Sequence, residues 1–130
     1  MVGKNLKRAA NHGAIMTGAD MTIQAIADEG IDTIFGYSGG AILPTYDAIF
    51  RYNANNPKKH LNLIVPANEQ GAGFMAAGYA RSTGKVGVSI VTSGPGATNS
   101  ATPVRDCMSD SIPMVLICGQ VARAAIGTDA

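Results

Sequence analysis

One carboxylate stands at a junction where chemistry is easy to build. In "LNLIVPANEQGAGFMAAGYA", Leu61–Ala80, an apolar run stops at Pro66, Glu69 follows, and a segment built largely from Gly and Ala comes next. A carboxyl group between an apolar strand and a helix of small residues is a candidate acid or base, because poor hydration strengthens its interaction with whatever it faces. The structural alternative is a helix-start carboxylate favoured by the macrodipole. Residue types alone leave both readings open.

Other chemistries are less well served. Gly71-x-Gly73-x-x-Ala76 fits the dinucleotide-binding fingerprint, but the acid wanted about 20 residues on is missing at Val91 to Ser93. Gly94-x-Gly96 ends at Asn99, where Gly or Ala is required, and no Walker A sequence occurs. His12 and His60 lie in polar surroundings, and Ser38 and Ser93 have no evident base. Cys107 and Cys118 fall in or near apolar segments without metal-ligand spacing, so both are expected to be reduced core thiols, and no metal site is expected.

The elements that must position Glu69 follow from period and punctuation. Thr17 caps a helix with Asp20 as capping-box partner, Met21, Ile23, Ala25, Ile26 and Ala27 turn toward one broad face, and Gly30 ends it. "DTIFGY", "LNLIV", "KVGVSIVTS" and "IPMVLICG" read as strands. Between them, "AILPTYDAIFRYN", "EQGAGFMAAGYARSTG" and a segment from "GPGATN" to Ser109 read as helices, with Pro44 confined to a first turn. Apolar strands alternating with helices predict an α/β fold, a doubly wound parallel sheet covered by helices on both faces. Ligands bind such sheets beyond the carboxyl ends of the strands. Glu69 falls there, among "GYSGGA", "TSGPGATN" and "GQVARAAIGTDA".

Composition narrows the class. The 130 residues are 46% apolar with sixteen Gly and no Trp, enough for one domain with a core. A net charge of +1 gives no reason to expect nucleic acid or an anionic membrane as partner. No apolar run approaches the roughly 20 residues of a membrane span. A cytoplasmic setting is expected. The basic start lacks a secretory apolar stretch, which leaves organelle import as the alternative. Residues 1–14 read as a flexible arm and 15–130 as the domain, expected to be C-terminally truncated.

"GYSGGAILPTYDAIF", "EQGAGFMAAGYARSTGKVGV", "TSGPGATN", "DSIPMVLICGQV" and "IGTDA" together resemble the N-terminal pyrimidine-binding domain of acetolactate synthase large subunits, which use thiamine diphosphate. The resemblance runs from about Ile15 to Ala130 with the motifs in family order. It implies that Glu69 hydrogen-bonds N1′ of the cofactor's aminopyrimidine and promotes loss of the thiazolium C2 proton. It implies that Gly94, Pro95 and Asn99 lie against the pyrimidine, that Tyr37, Gly39 and Gly40 lie beside the reacting carbon, and that Gln120 and Ala122 line the substrate channel.

By the same resemblance the activity is condensation of pyruvate with pyruvate or 2-oxobutanoate after decarboxylation, the first common step of branched-chain amino acid biosynthesis. The implied assembly is a homodimer or homotetramer with the site between subunits and, as a further partner, a regulatory small subunit. The small residues after Glu69 are expected to pack that helix against a partner subunit. Mg²⁺ and the diphosphate are implied to bind a separate domain with a "GDG…N" motif absent here, and a non-redox FAD mostly elsewhere. The chain is therefore expected to be part of a three-domain protein and inactive alone. Ser38 stands where the family usually has Pro, Asn68 where it has His, Phe74 where His is common, and Ala122 where it has Pro. A non-catalytic module of the same fold, or a related enzyme of the pyruvate oxidase or sulfoacetaldehyde acetyltransferase type, stays open.

Overall fold

The computed structural model describes residues 15–128. Residues 1–14, with His12, and residues 129 and 130 of "IGTDA" lie outside them. Helices and strands alternate: α1 (Gly18–Asp28), β1 (Thr33–Tyr37), α2 (Leu43–Asn55), β2 (Asn62–Ile64), α3 (Glu69–Thr83), β3 (Gly87–Val91), α4 (Pro95–Asn99), α5 (Ala101–Ser109) and β4 (Met114–Cys118). Short 3₁₀ turns cover Gly40–Ile42 and Arg123–Ala125. The strands form one parallel sheet in the order β2-β1-β3-β4.

Alternation along the central strands builds a core on each face. Ile34, Val88 and Ile90 pack with Ile23 of α1 and with Tyr46, Ala48 and Ile49 of α2. Phe35 turns the other way, onto Ala72 and Ala76 of α3. Helices thus cover both faces, as the apolar strands predict.

Local signals set several boundaries. Asp20 N–H donates to Thr17 Oγ1 at 3.2 Å, and the Thr17 hydroxyl donates to Asp20 Oδ2 at 2.6 Å. Gly30 and Gly84 close α1 and α3 at φ 77° and 69°, where glycine alone is unstrained.

Five expectations need correction. Met21 and Ala25 are exposed, and the inward face of α1 is Ala19, Ile23, Ile26 and Ala27. Only β3 is buried along its whole length; Ile64 of β2 and Val115 of β4 are exposed because those strands are the sheet's edges. The segment from Gly94 to Ser109 is two helices, not one. Pro103 brings no N–H to the Asn99 carbonyl and its ring crowds that oxygen, so the chain breaks at Ser100. Cys107 is a core thiol, but Cys118, at the end of an edge strand, is exposed.

The fifth correction concerns α3. Ala72, Gly73, Ala76, Ala77 and Ala80 are buried within this chain, not presented to a partner. A Cβ on Gly73 would strike the Pro103 ring, and one on Gly87 would strike the Ala76 carbonyl. Small residues bring α3 onto its own sheet and onto α5.

Candidate functional site

The carboxyl end of β3, the loop after β1 and the start of α3 meet on one rim. Asn68 is extended (φ −161°, ψ 170°), and its side-chain oxygen accepts the Gly71 N–H at 2.7 Å, which starts α3. Asn68 supplies the cap, so the carboxylate of Glu69 is not used for it.

Glu69, first residue of α3, is 8% exposed. Its Oε2 accepts the Asn99 amide N–H at 3.0 Å across thirty residues of sequence. Among the described residues Oε1 accepts no hydrogen bond. A Cβ on Gly96 would lie 3.7 Å from that oxygen. A carboxylate serving only the macrodipole needs neither burial nor an amide partner; the pairing with Asn99 is the feature that favours chemistry.

Asn99 is aimed by α4, whose entry needs Gly94 at φ 57° and ψ −117° with Pro95 at the first helical turn. From β1, Tyr37 ends the strand opposite Val91, and Gly39 lies against Thr92, where a Cβ would come 2.6 Å from the threonine Cβ. Gly40 opens the 3₁₀ turn and is exposed. Gly119, past β4, donates its N–H to the Val91 carbonyl at 2.8 Å and closely approaches Ala41. Gln120 follows, its amide oxygen accepting the Val121 N–H at 2.8 Å, not the Glu69–Asn99 pair. Ala122 is exposed at the start of the second 3₁₀ turn. Ser38 is exposed, and so is His60, which lies before β2 at the opposite end of the sheet.

Three residues were missed as site residues. Asn68 stood out only as a departure from the resembled pattern, although Asn before a helix is a capping signal. Thr92 read as the end of an apolar strand. Tyr46 stood only within a segment read as helix. It donates its hydroxyl to the Ile90 carbonyl at 3.0 Å, in space that exists because Gly36 has no side chain. Burial, and secondarily the Glu69 charge, push the Tyr46 hydroxyl above its ordinary range.

The arrangement forms an open rim. Two cavities, of about 260 and 190 Å³, lie elsewhere, one beside Asp20 and Arg51 and one between α5 and β4. No group of three or more metal-ligating side chains occurs among the described residues, and no helix there is long and apolar enough to cross a membrane. A buried carboxyl group with one oxygen held by an amide and the other beside a Cβ-less backbone can share a proton with a ring nitrogen. An added Cβ on Gly40 or Gly94 would meet no atom within 4 Å, so the rim is open on that side to a flat heteroaromatic ring, and these residues fit an aminopyrimidine.

Comparison with known proteins shows the family. Residues 16–130 match the family described as thiamine pyrophosphate enzyme, N-terminal TPP binding domain. Over 115 residues, 88% of this chain, it is 54% identical to the mitochondrial acetolactate synthase catalytic subunit of Saccharomyces cerevisiae, covering 16% of that protein. It is 51% identical to an acetolactate synthase of Mycobacterium bovis and 50% identical to the isozyme 2 large subunit of Escherichia coli, again over 115 residues and 88% of this chain, covering 18% and 20% of them. The chain spans a fifth or less of the length of these three relatives.

Proposed function

Because the chain belongs to the family of thiamine pyrophosphate enzyme N-terminal TPP binding domains, we propose that it is the activator half of a thiamine-diphosphate-dependent acetolactate synthase. The reaction is the condensation of decarboxylated pyruvate with a second pyruvate or with 2-oxobutanoate. Thiamine diphosphate, when bound, supplies the carbon nucleophile for this chemistry.

This chain's residues bind and orient the pyrimidine end. With the cofactor bound, Glu69 would hold a proton on Oε1 and offer it to the pyrimidine ring. Asn99 holds Oε2 and keeps the carboxyl group from rotating. Gly94 and Pro95 set the approach of α4. Tyr37, Gly39 and Gly40 border the reacting carbon, and Gln120 and Ala122 border the substrate's entry. A further domain of a longer chain holds Mg²⁺ and the diphosphate, and FAD binds mostly outside this domain. The site is completed between subunits of a homodimer or homotetramer, with a regulatory small subunit as a further partner. The cytoplasm is the proposed setting, and the mitochondrial name of the yeast relative makes organelle import the alternative.

The observation that carries this reading is Glu69 itself: buried at the helix start, held on one oxygen by Asn99 and open on the other. The test is product formation from pyruvate by the full-length protein, with and without thiamine diphosphate and Mg²⁺. Acetolactate formed only with the cofactor is expected. Conversion of pyruvate to acetyl phosphate or acetate instead would move the assignment to another thiamine-diphosphate enzyme. No conversion of any 2-oxo acid would favour a binding module without chemistry.

A further inference from the structure

Thr92 touches two backbones at once. An ideal Cβ on Gly39 would come 2.6 Å from Thr92 Cβ and Cγ2 and 2.7 Å from its Oγ1. An ideal Cβ on Gly96 would come 2.8 Å from Thr92 Cγ2. Gly39 belongs to the loop after β1, and Gly96 to α4, beside Glu69 Oε1. The half-buried threonine thus stands between the loop after β1 and the start of α4. Its hydroxyl has no protein partner among the described residues, so shape is what it contributes.

We propose that Thr92 is a positioning residue whose γ-methyl wedges the β1 loop against the start of α4 and fixes the width of the gap in front of Glu69. A β-branched side chain suits this role because its χ1 is stiff. Glycine is needed on both sides because close packing leaves no volume for a further methyl group. The role rests on the cofactor reading above, but the wedge itself does not.

Two measurements on the full-length protein separate them. The first is the thermal midpoint without cofactor. Gly96→Ala places a methyl group against Thr92 Cγ2 and lowers the midpoint. Thr92→Ser removes that γ-methyl, so Thr92→Ser/Gly96→Ala melts above Gly96→Ala alone, a coupling of residues in contact. A double variant melting at or below Gly96→Ala overturns the wedge.

The second measurement is the dissociation constant for thiamine diphosphate with Mg²⁺ by calorimetry. Thr92→Val keeps the γ-methyl and the β-branching while removing the hydroxyl, and binds like the parent. Thr92→Ser loses the methyl and binds about fourfold more weakly, the equivalent of one buried methyl group. A valine variant weaker than the serine variant makes the hydroxyl the working group and overturns the proposal; so does a serine variant that binds like the parent. A parent that binds no cofactor defeats the functional reading and with it the site role, while the midpoint comparison still reports on the packing.

Discussion

Asn99 donates to a buried carboxylate while its own side chain sits at the surface, so the cost of losing it is bounded. An unpaired buried acceptor costs about 1–3 kcal/mol, and access of water at Asn99 places Asn99→Ala near ~1 kcal/mol. Urea denaturation of the full-length protein reads this directly. Ala122 offers the opposite sign. Its φ of −53° lies within the range of proline, the residue usual there in the resembled family. Ala122→Pro is expected to stabilise by about 0.4–1 kcal/mol, because it restricts the unfolded chain; an unchanged or lower denaturation midpoint would contradict this. Glu69 was legible from its place between an apolar strand and a small-residue helix. Its bond to Asn99 was not, because nothing local links residues thirty positions apart. Tyr46 and Thr92 escaped notice because an inward tyrosine on a helix and a threonine at a strand end are ordinary core choices.

Helix α3 shows what an element can and cannot declare in advance. Its ends are local chemistry: Asn68 caps it, and Gly84 closes it in the left-handed region. Asn68→Ala is expected to cost about 1 kcal/mol, with the loss visible in the denaturation midpoint. The direction of its Gly/Ala face was not legible, since small residues suit a partner subunit as well as the chain's own sheet. The close approach of Ala76 to Gly87 decides for the sheet. Gly87→Ala places a methyl group against backbone that cannot yield, and a loss of about 1–3 kcal/mol is expected from such overpacking. The break at Ser100 could have been read from Pro103, whose position four residues after Asn99 forbids a continuous helix.

Across the whole molecule the two ends of the sheet differ in purpose. At the amino ends of β1 and β3, Asp32 accepts hydrogen bonds from Lys85, Tyr79 and Thr33 at 2.7, 2.8 and 2.9 Å. The Lys85 ammonium first, then the two hydroxyls, hold the Asp32 carboxyl down at about 2 against an ordinary 3.8. A carboxylate depressed on folding adds stability that is present above the ordinary value and is lost as pH falls through the folded one. The parent and Asp32→Asn are therefore expected to differ in thermal midpoint above pH 4 and to converge toward pH 2, more weakly in high salt because the pair is half-exposed. The parallel order with helices on both faces was legible in the alternation of apolar strands and helices. Which strands lie at the edges was not, because that depends on tertiary neighbours and not on strand composition. At the carboxyl ends the loops converge on Glu69. Hydrogen–deuterium exchange at the thiazolium C2 of thiamine diphosphate bound to the full-length protein measures that convergence most directly. Glu69→Gln keeps the shape and removes the shared proton, so exchange is expected to slow by at least ~100-fold, the scale of acid–base contributions. A glutamine variant that exchanges as fast as the parent would contradict the role assigned to Glu69.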